Sequence, residues 1–461
     1  MKVLDLSGTY GRNGVRNEAN LWLGQIMGYG SRKIRTKFTS LGLTHFGGVY
    51  LFHLFIQQLR VRSYLSKHLS FSQKNNDYTL TELLLALIYP MILGLERIEV
   101  SALLKTNGVF QYLTGLPHIP NPTTLRRFLV RSAPSLLPQV RRVHNELRTH
   151  FLALPQMPSS LWFNCDSTAQ TLYGNQEGVV KGYNPTHPGK KSYHPLIVTE
   201  SHRSDCLGGL LRPGNAHTAE GIEELFKAVL SLLPHHQRLR LRADAGFYDG
   251  DFVALLRENR VDFALVAQLS APLKSIVGGL RYHKVSQIFS VSEFSYQPHR
   301  WDTKERFVVL RRKLPDEEST TQTTLFTIDR YGYSVVVTNL DLEPYNVFRF
   351  YQDRSAIERI IRTLKDDYPF GTAPTHSFEA NALYAELSLL AYNLIAWFKR
   401  LCLPDEWQSY TLSTIRHRLL LMPGEFVRSH NIPTLRFPRN SLYQDVFTHA
   451  QNNINNVRPL I

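Results

Sequence analysis

The chain has 461 residues, enough for roughly two to four domains with sizeable cores. Its composition, 43% hydrophobic and 20% charged, is ordinary for a folded protein and excludes a low-complexity chain. Lys and Arg number 53 against 38 for Asp and Glu, which gives a net charge of +15. This charge favours a polyanionic partner such as nucleic acid, but a protein can also be basic without binding a polyanion.

The cysteines and the apolar segments argue against further classes of protein. Cys165, Cys206 and Cys402 are scattered and form no CxxC pair, which argues against a disulfide framework and a structural zinc site. We expect no signal peptide, and the apolar run at 49–56 is too short to span a bilayer. We therefore expect a cytoplasmic protein of bacterial type with no membrane partner.

The first part of the chain is predicted to be helical. Residues 1–40 are rich in Gly, Arg, Asn and Ser and are typical of an arm that orders on a partner. Helical patterns follow at 46–69 and 80–95, the second with a kink at Pro90.

The segment 116–132, LPHIPNPTTLRRFLVRS, places a basic helix after a proline-rich turn. Thr123 or Thr124 stands where a helix N-cap belongs. A short helix, a turn and a basic helix resemble a helix-turn-helix, but an ordinary surface helix fits equally well. The arginines concerned are Arg126, Arg127 and Arg131.

Strands begin after residue 155, and two of them carry an aspartate. Segment 161–174 contains Asp166, and 238–248 delivers Asp244 as the chain turns; strands at 192–201 and 207–215 and a helix at 219–233 lie between. A carboxylate in a buried strand is costly unless it is paired, and a metal ion would justify it. A turn or cap role for either aspartate is the alternative.

Segment 351–365, YQDRSAIERIIRTLK, is predicted to be one amphipathic helix. Tyr351, Arg354, Glu358 and Lys365 then share one face, with Arg362 beside them, and the other face is apolar. A single carboxylate among cations suits a divalent metal held next to a phosphate. A surface helix with ion pairs is the alternative.

The remaining segments are less specific. Strand composition recurs through 269–333, and 378–401 is predicted to be an amphipathic core helix. Residues beyond 405 give no clear pattern.

The spacing Tyr-x2-Arg-x3-Glu-x6-Lys resembles the glutamate motif of DDE transposases from bacterial insertion sequences. Segments DSTAQTLYGNQEGVVKGYNP, SYHPL, LRPGN and LRADAGFY are similar to the insertion sequence 1380 family, within the Tyr-Arg-Glu-Lys branch of the insertion sequence 4 superfamily. The resemblance covers roughly residues 80–400.

The resemblance implies an α+β fold: a ribonuclease-H-like catalytic core with an inserted β domain and an all-α N-terminal DNA-binding region. The expected domains are 1–155 for DNA binding, 156–268 and 334–402 for the two parts of the core, 269–333 for the β-rich insertion and 403–461 for the C-terminal region.

The resemblance also implies a site. Asp166, Asp244 and Glu358 are expected to hold two Mg²⁺ or Mn²⁺ ions, since all-oxygen ligands suit these metals. Tyr351, Arg354, Lys365 and Arg362 are expected to contact DNA. Trp301 either stacks on a displaced base or packs within the β domain.

The function implied is that of a transposase. It would bind the terminal inverted repeats of its element as a homodimer, cleave the double-stranded DNA at the element ends and join them to target DNA by two-metal phosphoryl transfer, in a cytoplasmic, nucleoid-associated location. A DNA-binding regulator, a cleavage-inactive transposase derivative and a structure-specific nuclease are the alternatives.

Overall fold

A mixed β-sheet runs through the computed structural model, which describes residues 36–73, 77–154, 160–234, 238–314, 326–328, 331–439 and 441–460. Gly42–Ile461 forms one unit by its internal contacts. Residues 36–41 are exposed and have no helix or strand, and the rest of the predicted arm lies outside the described residues.

The described strands form one large sheet and two small ones. The large sheet has the order β10-β11-β12-β14-β9-β8-β2-β6-β7, with β13 paired to β14, and the small ones are β1-β15-β16 and β3-β5-β4. The bounds are β1 (Leu43–Thr44), β2 (Ser160–Ser167), β3 (Gln170–Thr171), β4 (Val180–Lys181), β5 (Lys191–Tyr193), β6 (Leu196–Glu200), β7 (Cys206–Leu210), β8 (Arg238–Ala243), β9 (Val261–Val266), β10 (His283–Lys284), β11 (Phe289–Tyr296), β12 (Glu305–Lys313), β13 (Phe326–Ile328), β14 (Tyr331–Thr338), β15 (Gly424–Ser429) and β16 (Ile432–Arg436).

Helices precede, interrupt and follow these strands. Their bounds are α1 (Val49–Gln58), α2 (Val61–His68), α3 (Leu80–Ile92), α4 (Ala102–Lys105), α5 (Gly108–Thr114), α6 (Pro122–Leu152), α7 (Ile222–Leu230), α8 (Gly250–Glu258), α9 (Ala271–Gly279), α10 (Pro344–Gln352), α11 (Ser355–Asp366), α12 (Phe378–Cys402), α13 (Leu412–Ile415) and α14 (Gln444–Ile454).

Five neighbouring strands place the aspartates. In the order β7-β6-β2-β8-β9, the first two pairings are antiparallel and the last two are parallel. Parallel neighbours need a crossover connection, and α7 and α8 supply it before β8 and β9. Both Asp166 and Asp244 are therefore carried to the same edge of the sheet.

The described strands of the segment predicted as a β-rich insertion join the central sheet. Strands β11, β12 and β14 form an antiparallel meander, and β14 pairs with β9, so the meander extends the central sheet. Strand composition predicts strands in this segment, but it does not say which sheet a strand joins.

Helix α12 lies at the centre of the helical half of the chain. It was predicted to be amphipathic, but every residue from Ala380 to Phe398 is buried, as in a helix enclosed on all sides. Its core includes apolar residues of α1–α6, of α11 and of the C-terminal segment through Leu460, so the tail whose sequence gave no clear pattern completes this core.

The predicted short basic helix is the start of a much longer one. Helix α6 has 31 residues, its N-cap is Asn121 rather than Thr123 or Thr124, and Pro122 occupies the first turn. Its buried residues continue from Leu125 to Leu152, so most of its length serves the core.

Candidate active site

Two carboxylates lie side by side at the ends of parallel strands. Cys165 of β2 pairs with Ala243 of β8, so Asp166 and Asp244, each the next residue, are neighbours across the ladder. The Oδ1 atom of Asp166 accepts a hydrogen bond of 2.8 Å from the Ser167 amide, and Oδ1 of Asp244 accepts one of 3.0 Å from the Gly246 amide. These backbone contacts fix both carboxylates and leave both Oδ2 atoms available.

The two Oδ2 atoms converge on one cation. Nη2 of Arg354 lies 3.0 Å from Oδ2 of Asp166 and 3.5 Å from Oδ2 of Asp244. The Arg354 Nε–H is buried and has no hydrogen-bond partner among the residues that the structure describes, so this guanidinium retains an unused donor. Arg354 thus belongs to the carboxylate pair in this structure.

The charges of this cluster perturb one another. Burial raises the pKa of Asp166 to about 6; the Arg354 charge opposes this shift, and the charges of Asp244 and Glu358 add to it. Burial lowers the pKa of Arg354, but Asp166, Tyr351 and Asp244 together raise it above its usual value. The positive charge of Arg354 therefore does not fully offset the cost of burying the negative charge of Asp166.

Glu358 is carried by the second of two helices, not by one continuous helix as predicted. Helix α10 ends at Gln352 and α11 begins at Ser355, with Asp353 and Arg354 in the turn between them. The turn is closed by a bond of 3.0 Å from the Arg354 amide to the Tyr351 carbonyl.

The apolar and polar faces of α11 nevertheless follow the sequence pattern. Ile357, Ile360 and Leu364 are buried, whereas Glu358 and Arg362 are exposed. The charge of Glu358 adds to the raised pKa of Asp166, but the oxygens of Asp166, Asp244 and Glu358 do not all lie within 4.8 Å of one another in this structure.

The other two residues of the signature also reach this region. The Tyr351 hydroxyl accepts a 3.4 Å bond from Nη1 of Arg354, and burial raises the pKa of Tyr351. Lys365 Nζ donates to Oγ1 of Thr168 at 3.3 Å and to the Ala169 carbonyl at 3.0 Å, and burial lowers its pKa. Lys365 therefore connects α11 to the chain that leaves Asp166.

Arg242 is a buried residue of this region that the sequence analysis did not single out. Its side chain, 1% exposed, donates to Oδ1 of Asn164 at 2.9 Å, to the Phe350 carbonyl at 2.8 Å and to Oγ of Ser201 at 2.6 Å. A further contact of 3.9 Å reaches Oδ2 of Asp353. Arg242 thus ties both aspartate-bearing strands to the turn that holds Arg354.

The alternation of Leu and Arg in β8 was the available signal for Arg242. That pattern normally indicates a strand with one solvated face. Here the arginine side of β8 is covered by Trp162 and Phe350, whose ring centroids lie 5.3 and 5.0 Å from the Arg242 guanidinium carbon.

The donor set at the aspartate pair fits a divalent cation. Both free Oδ2 atoms face one positively charged nitrogen, and hard carboxylate oxygens are the ligands that Mg²⁺ and Mn²⁺ prefer. The raised pKa of Asp166 means that additional positive charge would stabilise its ionised form. Asp166, Asp244 and Glu358 are the residues that could hold such ions.

A second acidic group lies elsewhere in the described part of the chain. Oxygens of Glu223, Asp249 and Asp251 lie within 4.8 Å of one another at the starts of α7 and α8. Oδ1 of Asp249 caps α8 through the Phe252 amide at 3.0 Å. Acidic residues are common in first helical turns, where they complement the helix dipole.

Comparison with known families identifies the chain. The profile of the family described as Transposase DDE domain group 1 matches residues 28–459. The chain belongs to this family of DDE transposases. It is therefore an enzyme that cuts DNA and transfers strands.

The cryo-EM structure of a piggyBac transposase synaptic complex with hairpin DNA is similar over 83% of this transposase and 81% of that chain, with 11% sequence identity and a TM-score of 0.46. The comparison with curated proteins gave no match. Within the described residues of the transposase, no helix has the length and apolar character needed to cross a membrane.

Trp301 packs against the protein. Its ring centroid lies 4.9 Å from that of Tyr248, and a Cβ built on Gly250 would lie 3.0 Å from its ring. Of the two roles considered from the sequence, these contacts favour packing, and base stacking stays a prediction.

The predicted DNA-binding arginines of the transposase line a cleft of about 590 Å³ between the start of α6 and the segments around Gln176 and Pro374. Arg127 and Arg131 are exposed. Arg126 forms an ion pair with Glu99 and donates to the Pro374 carbonyl at 2.9 Å. Arg126 is thus partly committed to the protein, whereas the other two are not buried.

The basic residues farther along α6 serve the fold. Arg148 is buried, with Nε donating to the Cys206 carbonyl at 3.0 Å, and Arg142 donates to the His68 carbonyl at 3.0 Å. The number of arginines in α6 therefore overstates the charge that it presents to a partner.

Proposed function

We propose that this transposase binds the terminal inverted repeats of its element, cleaves the DNA at the element ends and joins those ends to target DNA at Asp166, Asp244 and Glu358. The observation that carries the proposal is the pair of aspartates at adjacent parallel strand ends, both within 3.5 Å of the Arg354 guanidinium. Two Mg²⁺ or Mn²⁺ ions, when bound there, would activate the attacking oxygen and stabilise the leaving 3′-oxygen.

The core is proposed to be ribonuclease-H-like. The order β7-β6-β2-β8-β9, with two antiparallel and two parallel pairings, supports this. Asp166 in the middle strand β2 and Asp244, the residue after the parallel strand β8, also support the proposal. The domain boundaries stated above stay predictions.

Arg354 and Lys365 are proposed to hold the phosphates next to the cut. A guanidinium can donate two parallel hydrogen bonds to a phosphate. In this structure Nη2 of Arg354 contacts both aspartates and its Nε–H is buried, so the phosphate contact requires the guanidinium to turn away from the aspartates. Lys365 adds a point charge beside the segment that follows Asp166, and Tyr351 adds one hydroxyl. Arg362, exposed on α11, would meet DNA farther from the reacting phosphate.

Arg242 is proposed to position this machinery without touching DNA. It is buried, and it joins the neighbours of both aspartates to the carbonyl of Phe350 and the carboxylate of Asp353. The turn that presents Arg354 and starts the Glu358 helix therefore has a fixed relation to the carboxylate pair.

The finer family assignment is also a proposal. Tyr351, Arg354, Glu358 and Lys365 keep the spacing of the Tyr-Arg-Glu-Lys branch, and the segments around both aspartates support the insertion sequence 1380 family. Double-stranded DNA as partner, a homodimer in the DNA complex and a cytoplasmic, nucleoid-associated location accompany this assignment.

The test uses the full chain, Mg²⁺ and duplexes taken from the DNA that borders the coding sequence. Asp166→Ala, Asp244→Ala and Glu358→Ala should each abolish cleavage and leave duplex binding within about twofold, because these side chains hold metal rather than read DNA. The matched control is Asp251→Ala, which removes an exposed carboxylate of the other acidic group.

The outcomes separate the alternatives. Cleavage lost only in Asp251→Ala would move the metal site to the Glu223 group. Binding without cleavage by the unmodified chain would favour a regulator or an inactive derivative, and cleavage without joining would favour a nuclease.

A further inference from the structure

The small sheet β3-β5-β4 concentrates positive charge close to the proposed site. It begins at Gln170, four residues after Asp166. Between residues 167 and 199 the chain has three lysines and one acid, Glu177, whose Oε2 accepts a 3.0 Å bond from the Phe378 amide. The lysines are Lys181, Lys190 and Lys191, and all three are exposed.

The register of this sheet sets two lysines against each other. Lys181 of β4 lies directly opposite Lys191 of β5 in the antiparallel ladder. Like charges at directly opposed positions destabilise a strand pair. An anion bound by both lysines would offset this repulsion.

Two exposed aromatic rings lie at the same end of the sheet. Tyr173 is 81% exposed and Tyr183 is 72% exposed, and each follows its strand, β3 or β4, by two residues. Both strands run antiparallel to β5, so they share a direction, and both tyrosines leave the sheet beside the start of β5 at Lys191. Lysines bind the phosphates of nucleic acids, and exposed aromatic rings stack on their bases.

This surface connects two regions already described. At one side, Lys365 donates to the Ala169 carbonyl just before β3. At the other, Nζ of Lys191 donates to Oδ1 of Asn175 at 3.3 Å, and Asn175 lines the cleft that contains Arg127 and Arg131. The small sheet β3-β5-β4 thus lies between the cleft that contains Arg127 and Arg131 and the pair of carboxylates, Asp166 and Asp244.

We propose that Lys181, Lys190 and Lys191 bind the sugar–phosphate backbone of the element-end duplex next to the cut, with Tyr173 and Tyr183 against bases or sugars at its edge. This inference rests on the proposed function. Leu172, whose amide donates to the Lys191 carbonyl, is the sixth residue after Asp166, a span of at most ~20 Å. The contacts should therefore fall within about six base pairs of the cleaved bond, at 3.4 Å for each.

The decisive variant is Lys181→Gln/Lys191→Gln in the full chain, assayed on the bordering duplex across a range of salt concentrations. Binding should weaken, and the slope of log K against log salt should become less steep by about 0.9 for each lysine that meets a phosphate. The melting temperature of the free protein should not fall, because the like-charge pair is removed. Lys227→Gln/Lys274→Gln, the same charge change on α7 and α9, should leave the slope close to that of the unmodified chain.

The tyrosines give a second readout. Tyr173→Ala/Tyr183→Ala should weaken binding without changing the salt slope, and the corresponding Phe variant should restore it, since a ring rather than a hydroxyl is needed. Unchanged affinity and slope in the lysine variant, while the unmodified chain binds and cuts, would overturn the inference and leave the transposase assignment intact. An unmodified chain that neither binds nor cuts the bordering DNA would overturn both.

Discussion

Replacing Arg242 tests whether the turn between α10 and α11 sets the geometry of the site. Arg242→Met keeps much of the volume between Trp162 and Phe350 and removes the guanidinium. Arg242→Lys keeps the charge but offers a compact ammonium in place of a planar fork. Neither replacement alters a residue placed on metal or DNA.

The expected cost follows from the acceptors left behind. Oδ1 of Asn164 and the Phe350 carbonyl would each lose a bond of 2.9 or 2.8 Å in a buried setting. A buried acceptor without a partner costs roughly 1–3 kcal/mol, so Arg242→Met should lower the free energy of unfolding by about 4 kcal/mol. Ser201 keeps its 2.6 Å bond from Nδ2 of Asn164 and adds little. Arg242→Lys should lose about half as much.

The functional effect should exceed what lost folding explains. At a temperature where Arg242→Lys is fully folded, duplex binding should stay within about twofold. Single-turnover cleavage should fall by tenfold or more, since displacing a reacting group by on the order of 1 Å can cost ~10²-fold. The assay pairs urea unfolding with cleavage in Mg²⁺.

Arg240→Lys is the matched control. Arg240 is on the same strand and contacts the same two rings at 5.6 and 5.8 Å, but its charged partner is Asp262 at 3.8 Å, away from the turn. Equal cleavage losses in the two lysine variants, or a destabilised Arg242→Lys that cuts at the normal rate, would refute the positioning role.

Three further results are expected. Arg354→Ala and Lys365→Ala should remain defective on a substrate already nicked at the transferred strand, whatever the metal concentration; full rescue by Mn²⁺ would place them among the metal ligands instead. Arg127→Gln/Arg131→Gln should weaken duplex binding and flatten its salt dependence, and unchanged values would exclude the cleft as a DNA contact. His144 should contribute a loss of stability of roughly 3 kcal/mol as the pH drops from 6.5 to about 4, because burial lowers its pKa to about 4, whereas the raised pKa of Asp166 acts in the opposite direction over this range.

The sign of the His144 effect follows from its surroundings. Nδ1 of His144 lies 2.6 Å from Oε1 of Glu386 and Nε2 lies 2.8 Å from Nδ2 of Asn393, which suits a neutral ring with its proton on Nδ1. Between the two pKa values the unfolded chain binds the extra proton, so stability is complete above pH 6.5 and is lost below it. Urea unfolding of the unmodified chain and of His144→Asn across this range isolates the His144 contribution as the difference between the two profiles; identical pH dependence in both would assign the loss to another group.

The neighbouring positions of Asp166 and Asp244 were predictable because strand and helix order limits the sheets that a chain can form. A helix between two strands permits a parallel pair, and parallel ends meet at one edge of the sheet. The apolar face of α11 was predictable for a similarly local reason, since Ile357, Ile360 and Leu364 recur at helical spacing.

The break at Asp353 and Arg354 was not predictable. No Gly or Pro occurs between residues 351 and 365, so local propensity favours a continuous helix. The contacts that hold the turn come from β8, more than a hundred residues away, through Arg242. The position of β11, β12 and β14 in the central sheet was not predictable either, because an alternating pattern predicts a strand but not the strand with which it pairs.

The helix that carries Glu358 is held at both ends by arginines from distant parts of the chain. Arg242 bonds the Phe350 carbonyl before it, and Arg416 bonds the Asp367 carbonyl after it at 2.8 Å, with Nε of Arg416 donating to the Ile92 carbonyl at 2.8 Å. The first contact comes from the central sheet and the second from the C-terminal segment. One end of the helix is bonded to the central sheet and the other end to the C-terminal segment. A movement of the sheet relative to that segment would therefore tilt the helix and move Glu358 relative to Asp166 and Asp244. This explains physically why a C-terminal segment without motifs of its own can matter to a site nearly 60 residues earlier in the chain.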